Sequence, residues 1–105
     1  MKECPIAFSE AATIDIETTL GRLVDVFVAD SAAKKLIDLI DKTVKRIQLF
    51  PLSAPILLSS TNEKTQTRVA NVGPYLLFYT YEEETGIRVL RFLHSSQDWE
   101  TWIAQ

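Results

Sequence analysis

A chain of 105 residues, 47% apolar and 24% charged, can bury one hydrophobic core but not two. Its net charge of −3 has the opposite sign to the basic footprint of general nucleic-acid binders, and no apolar stretch approaches the roughly 20 residues needed to span a bilayer. A single cysteine and a single histidine exclude an internal disulfide and the usual zinc sites.

The opening MKECPIAF has one lysine and no long apolar run, unlike a signal peptide, and the lone Cys4 fits a reducing cytoplasm. Pro5-Ile6-Ala7-Phe8 reads as a short strand and Ser9 as the N-cap of a first helix. Glu10 and Asp15 fall early in that helix, where the macrodipole favours negative charge. Ile16, Leu20, Leu23 and Phe27 recur at helical spacing as one apolar stripe. Gly21 interrupts the helix at about 1 kcal/mol relative to alanine. It marks either the close approach of a neighbouring element or a tolerated weakness.

Asp30 and Ser31 restart the pattern as a cap, and Leu36, Ile40, Val44 and Ile47 form a second stripe widened by Ile37 and Leu39. Residues 31–50 hold five basic and two acidic groups, against two basic and six acidic in residues 1–30. That basic segment reads as a solvated helix face, with Asp38 and Asp41 four residues before Lys42 and Lys45. Pro51 stops the helix, and the short link folds the two helices into an antiparallel hairpin.

Residues 51–64 read as a loop with a short extended piece at Ile56–Leu58. Gln66–Val72 is a weakly alternating strand and Gly73-Pro74 a turn. Tyr75–Tyr81 is apolar or aromatic on both faces apart from Thr80, as a central strand covered on each side requires. Glu82–Gly86 is a hairpin loop in which Gly86 supplies an unusual backbone angle, and Ile87–Leu93 is the partner strand. Asp98 or a neighbouring serine caps a short final helix carrying Trp99, Trp102 and Ile103. The order is strand, helix, helix, three-stranded meander and tail helix. It predicts an α+β fold in one domain over residues 1–105, with the helical hairpin on one face of an antiparallel sheet (β-α-α-β-β-β).

Strict alternation along the last strand puts Arg88, Leu90, Phe92 and His94 on one side and Arg91 with Val89 and Leu93 on the other. Arg88 and Arg91 then converge on one phosphate only if a bulge intervenes.

Three groups of residues carry a family resemblance. They are Ile6-Ala7-Phe8-Ser9-Glu10-Ala11 at the start; Leu49-Phe50-Pro51 followed by Arg68 in the middle; and Tyr75-x-x-x-Tyr79 with Arg88-Val89-Leu90-Arg91-Phe92-Leu93-His94 and Asp98-Trp99 at the end. In these the chain resembles the RelE/ParE superfamily of toxins from bacterial type II toxin–antitoxin systems over nearly its whole length. The R-x-L-H-x-x-x-D-W ending is closer to the ParE branch. The chain departs from the pattern at Ser95-Ser96-Gln97, where ParE-like relatives carry arginines. It departs again in the loop before the first meander strand, which holds only Lys64, and in its acidic balance. These departures weigh against nuclease activity.

The resemblance implies a toxin that inhibits DNA gyrase without metal or cofactor, acts in the cytoplasm and is neutralised by a cognate antitoxin, as a homodimer or as a hetero-oligomer with that antitoxin. The alternative it implies is a RelE-like endonuclease acting on ribosome-bound mRNA. Activating a ribose 2′-hydroxyl against its phosphate would then fall to His94, Arg68, Arg88 and Arg91, with Tyr79 or Tyr81 behind them. A decayed, non-toxic binding module of the same fold is the third reading. Each residue also has a plainer role: His94 bonding the turn after its strand, the arginines pairing with Glu82, Glu83 or Glu84, the tyrosines packing on one sheet face, and Asp98 capping. Trp99 and Trp102, with Asp98, are the candidate antitoxin contacts. No Gly-rich phosphate loop, paired-carboxylate motif, nucleophile elbow or metal-ligand spacing is present in the sequence.

Overall fold

The computed structural model describes residues 3–25, 30–57 and 66–103, without the side chains of 25, 30, 102 and 103. The elements follow the predicted order: β1 (Ile6–Phe8), α1 (Glu10–Asp25), α2 (Asp30–Leu49), β2 (Arg68–Val72), β3 (Tyr75–Glu82), β4 (Gly86–His94) and α3 (Trp99–Ile103). Ser9 caps α1, its Oγ accepting the Ala12 N–H at 3.0 Å. Phe27, the Asp30 side chain, Leu58 and Lys64, all given roles above, lie outside the described residues or side chains.

The sheet runs β1-β4-β3-β2. β2, β3 and β4 form the antiparallel meander, and β1 joins parallel to β4, pairing Ile6 with Ile87 and Phe8 with Val89. Two glycines make the turns. Gly73 (φ 58°) stands at the tip between β2 and β3, and Gly86 (φ 89°) closes the β3–β4 hairpin. Gly86 is also fixed by space, because a Cβ there would lie 2.4 Å from the Pro5 carbonyl oxygen. No atom lies within 4 Å of where a Gly21 Cβ would stand, so Gly21 is a tolerated weakness in α1 and not a point of close approach.

One face of the sheet and the hairpin build the core. Leu36, Ile40 and Ile47 of α2 and Ala12 of α1 close on Ala70, Val72, Leu77, Tyr79, Ile87, Val89 and Phe92, with Ile16, Leu20, Leu23 and Val44 packed against them. Each large apolar side chain so buried contributes about 1.5–3 kcal/mol. Ile37 and Leu39, expected to widen the α2 stripe, are instead exposed. On the opposite face Phe78 and Leu93 are also buried, and Trp99 of α3 lies on Phe78 with ring centroids 5.5 Å apart.

Strict alternation fails on β4. Tyr79 pairs with Val89 and Phe78 with Arg91, so Leu90 is the extra residue of a bulge. Before the bulge Ile87 and Val89 face the helices; after it Phe92 and His94 do, because they pair with Leu77 and Tyr75. Arg88 and Arg91 therefore share the other face, contrary to the expectation from alternation. The cause lies at the strand's edge. β1 ends at Phe8, and the start of α1 supplies the missing partners. The Ser9 N–H donates to the Val89 carbonyl at 2.9 Å and Ser9 Oγ to the Leu90 carbonyl at 2.8 Å. Asp15 Oδ2 accepts the Phe92 N–H at 3.0 Å. Two successive carbonyls thus point to the same edge, which a regular strand does not allow.

Candidate functional site

Arg91 and Arg68, two of the four predicted cationic or acid–base residues, are committed to protein groups. The Arg91 guanidinium grips the Asp15 carboxylate through Nε–Oδ2 at 2.7 Å and Nη2–Oδ1 at 2.9 Å. That hydrogen bonding raises the Arg91 pKa further above its already high value. Its partner is therefore Asp15 on α1 and not the hairpin glutamates, which are exposed at the β3–β4 turn. Arg68, at the start of β2, sends Nη1 to the carbonyls of Ala54 (2.7 Å) and Leu52 (3.2 Å). It fastens the chain after α2 to the sheet.

Tyr79, paired with Arg68 across the ladder, is fully buried and donates its hydroxyl to the Pro51 carbonyl at 2.8 Å. Burial raises its pKa above the ordinary phenol value, partly offset by the Ala54 backbone, Arg68 and Arg46. The Tyr81 hydroxyl is also shifted upward, by burial and then by Cys4 and Glu83. Tyr75, Tyr79 and Tyr81 all lie on or against the core, as half-buried sheet packing predicts.

His94 ends β4 and bonds the following turn. Its N–H donates to Gln97 Oε1 at 2.7 Å, its carbonyl accepts the Gln97 N–H at 3.0 Å, and its Nδ1 accepts the Ser96 N–H at 3.0 Å. Its ring meets Tyr75 edge-on at 5.2 Å. Arg88 is exposed, beside Ala7 and Thr80 in the register, with no ion-pair partner among the described residues. Asp98 precedes α3 and its Oδ2 accepts from Thr101 Oγ1 at 2.8 Å. Trp99 is partly buried on Phe78, and the Trp102 side chain lies outside the described part.

The fold thus separates the four residues. Arg88 and Arg91 share the outer face, His94 and Arg68 belong to the helix-facing side, and the two on that side are held by different local structures. Two concavities accompany them. An apolar groove of about 480 Å³ is formed by Leu49, Phe50, Pro51, Leu52 and Tyr81, where Phe50 and Leu52 are 52% and 62% exposed. A cleft of about 380 Å³ lies where Arg22 of α1 meets Tyr75, His94 and Gln97. The sequence reading missed Asp15 as a partner and Arg22 as a cleft residue. Asp15 reads there only as a charge early in the first helix, Arg22 is not singled out, and no local spacing links either to β4. Among the described residues no group of acidic, histidine or cysteine side chains could hold a metal ion, and no helix is long and apolar enough to cross a membrane.

Residues 6–99 match the model of the family described as the ParE toxin of the type II toxin–antitoxin system parDE. Among solved structures the chain is similar to the chromosomal ParDE system of P. aeruginosa, with TM-score 0.64 and 18% identity over 88% of this chain and 96% of that one. The RelBE2 toxin–antitoxin complex of Mycobacterium tuberculosis gives 0.53 and 18%, over 88% and 98%. The archaeal RelE–RelB complex of Pyrococcus horikoshii OT3 gives 0.54 and 9%, over 92% and 99%. No curated protein matches the sequence. At these identities the structural likenesses speak for the fold alone.

Proposed function

The chain belongs to the ParE toxin family of type II toxin–antitoxin systems, and from that premise we propose that it inhibits DNA gyrase by protein–protein contact in the cytoplasm, without metal or cofactor. A cognate antitoxin neutralises it by laying a helix or strand across exposed apolar surface. The groove at Phe50 and Leu52 and the tail with Trp99, Trp102 and Asp98 are the surfaces offered for that contact. The observation that carries this reading is the commitment of the polar residues. Arg91 is paired with Asp15, Arg68 holds two carbonyls, and the Nδ1 of His94 accepts from its own turn. Arg68, Arg91 and His94 thus do not come together as the base, acid and cation that a ribonuclease needs around one scissile phosphate, which favours a binding protein.

The test is gyrase supercoiling with the purified chain, expected to be inhibited and to recover when the antitoxin is added. Untouched supercoiling together with cleavage of ribosome-bound mRNA would overturn the proposal in favour of an endonuclease. One observation favours that second reading: the Leu90 bulge brings Arg88 and Arg91 onto one face.

A further inference from the structure

The cleft between the end of α1 and the turn after β4 shares only His94 with the reading above. Three of its polar side chains offer donors, beside the hydroxyls of Thr19, Tyr75 and Ser96. Arg22 stands in the last turn of α1 and is exposed. Gln97 uses its side-chain carbonyl on the His94 N–H, so its amide nitrogen is left to donate. The Ser96 N–H can only donate, so His94 Nδ1 must accept, and in the neutral ring the hydrogen sits on Nε2. Tyr75 fixes that ring edge-on and is itself stacked on Phe92 at 5.1 Å. Among the described residues no carboxylate lines the cleft. Asp15, one turn before the lining residue Thr19, is turned away into its pair with Arg91.

A concavity that gathers a guanidinium, an imidazole N–H and a carboxamide N–H without a counter-charge is built for an oxyanion. We propose that this cleft binds a phosphate group, contacted by Arg22, the Nε2–H of His94 and the Gln97 amide. Phosphate matches the donor set because a guanidinium grips it through two parallel N–H bonds and further oxygens remain for the other donors. The C-terminal end of α1 opposes an anion, but the dipole acts only over its last turn and is the smaller effect beside a full charge in contact. The site makes the His94 turn a binding element, its backbone bonds serving to aim the ring.

Titrations of the ¹⁵N-labelled full chain with inorganic phosphate and with AMP, at constant ionic strength, test this. Saturable shifts of the Thr19, Ser96 and Gln97 amides are expected with inorganic phosphate. Saturation by AMP as well assigns a phosphomonoester ligand, and saturation by inorganic phosphate alone assigns the free ion at the same site. R22Q should weaken binding at least about tenfold, the loss expected for one charge-assisted contact. H94N retains an acceptor for the Ser96 N–H but lacks the Nε2–H, and should weaken binding similarly, whereas K35Q should leave it unchanged. Absence of saturation, saturation by AMP alone, or affinity unchanged from that of the unsubstituted chain in R22Q and H94N would overturn the proposal. The two variants act independently, so misfolding of one leaves the other to decide.

Discussion

Asp15 and Arg91, 76 positions apart, meet in a two-pronged pair at 2.7 and 2.9 Å, and Asp15 Oδ2 also takes the Phe92 N–H at 3.0 Å. One carboxylate therefore ties α1 to β4 and satisfies the edge that β1 leaves open. The side chains are only 24% and 12% exposed, which sets the pair apart from a surface ion pair worth about 0–1 kcal/mol. Asp15→Ala should cost about 2–4 kcal/mol, because it removes both prongs of a partly buried ion pair and the acceptor of the Phe92 N–H together. Urea unfolding should show a lower midpoint with an unchanged slope. In the cycle with Arg91→Ala the double variant should lose less than the sum of the two singles. Additive losses would contradict the coupling.

Gly86 and Gly21 should respond in opposite directions to the same substitution. At Gly86 a Cβ meets the Pro5 carbonyl at 2.4 Å on a backbone with φ 89°. Gly86→Ala must displace β1 or the hairpin and should cost about 3 kcal/mol or more, near the upper end of ordinary point substitutions. At Gly21 the space is open and the residue lies inside α1. Gly21→Ala should stabilise by about 0.5–1 kcal/mol through helix propensity and a less flexible unfolded chain. Thermal unfolding of both variants checks the pair, and destabilisation by Gly21→Ala would mean that α1 needs its glycine.

Stability should fall on the alkaline side through Tyr79. Its hydroxyl is buried against the Pro51 carbonyl, and burial raises its pKa in the folded state. Because the folded value exceeds the unfolded one of about 10, the contribution is fully present below pH 10. It is lost as pH rises through the folded pKa. Tyr79→Phe should cost about 1 kcal/mol at neutral pH by leaving the carbonyl unpaired, and should flatten the decline of stability above pH 10. An unchanged alkaline slope in the variant would assign the decline to other groups.

The legible parts of this fold are those specified by local rules. Ser9 as a cap, the stripe of Leu36, Ile40 and Ile47, and the positive φ of Gly86 each follow from a residue and its near neighbours. So does the order of elements, because helical and two-residue periods are visible along the chain. The Leu90 bulge is different. Arg88-Val89-Leu90-Arg91-Phe92-Leu93 contains no glycine or proline to mark a break. The irregularity is imposed from α1, where Ser9 and Asp15 select which carbonyls and N–H groups of β4 face the edge. The alternation rule consequently placed His94 with both Arg88 and Phe92, and the structure keeps Phe92 on its side but moves Arg88 to the other. The partners of Arg68 and Arg91 were illegible for the same reason: backbone carbonyls of a loop and a carboxylate one helix away leave no trace in spacing.

Arg68 and Arg88 separate structure from function at the candidate site. Arg68 holds the carbonyls of Leu52 and Ala54, next to the strand whose Tyr79 holds that of Pro51. Arg68→Ala should cost about 1–3 kcal/mol, as expected for hydrogen bonds made by a charged donor. It should also open the stretch at residues 51–57 to faster proteolysis. Arg88 is exposed and without an ion-pair partner among the described residues, so Arg88→Ala should leave stability within about 0.5 kcal/mol. Toxicity should then divide the readings. A gyrase-directed protein should tolerate Arg88→Ala unless that face is the contact, and its loss of activity in Arg68→Ala should recover at lower temperature, where the fold is restored. A ribonuclease that uses Arg88 and Arg91 together should lose mRNA cleavage in Arg88→Ala at every temperature while its unfolding midpoint stays unchanged.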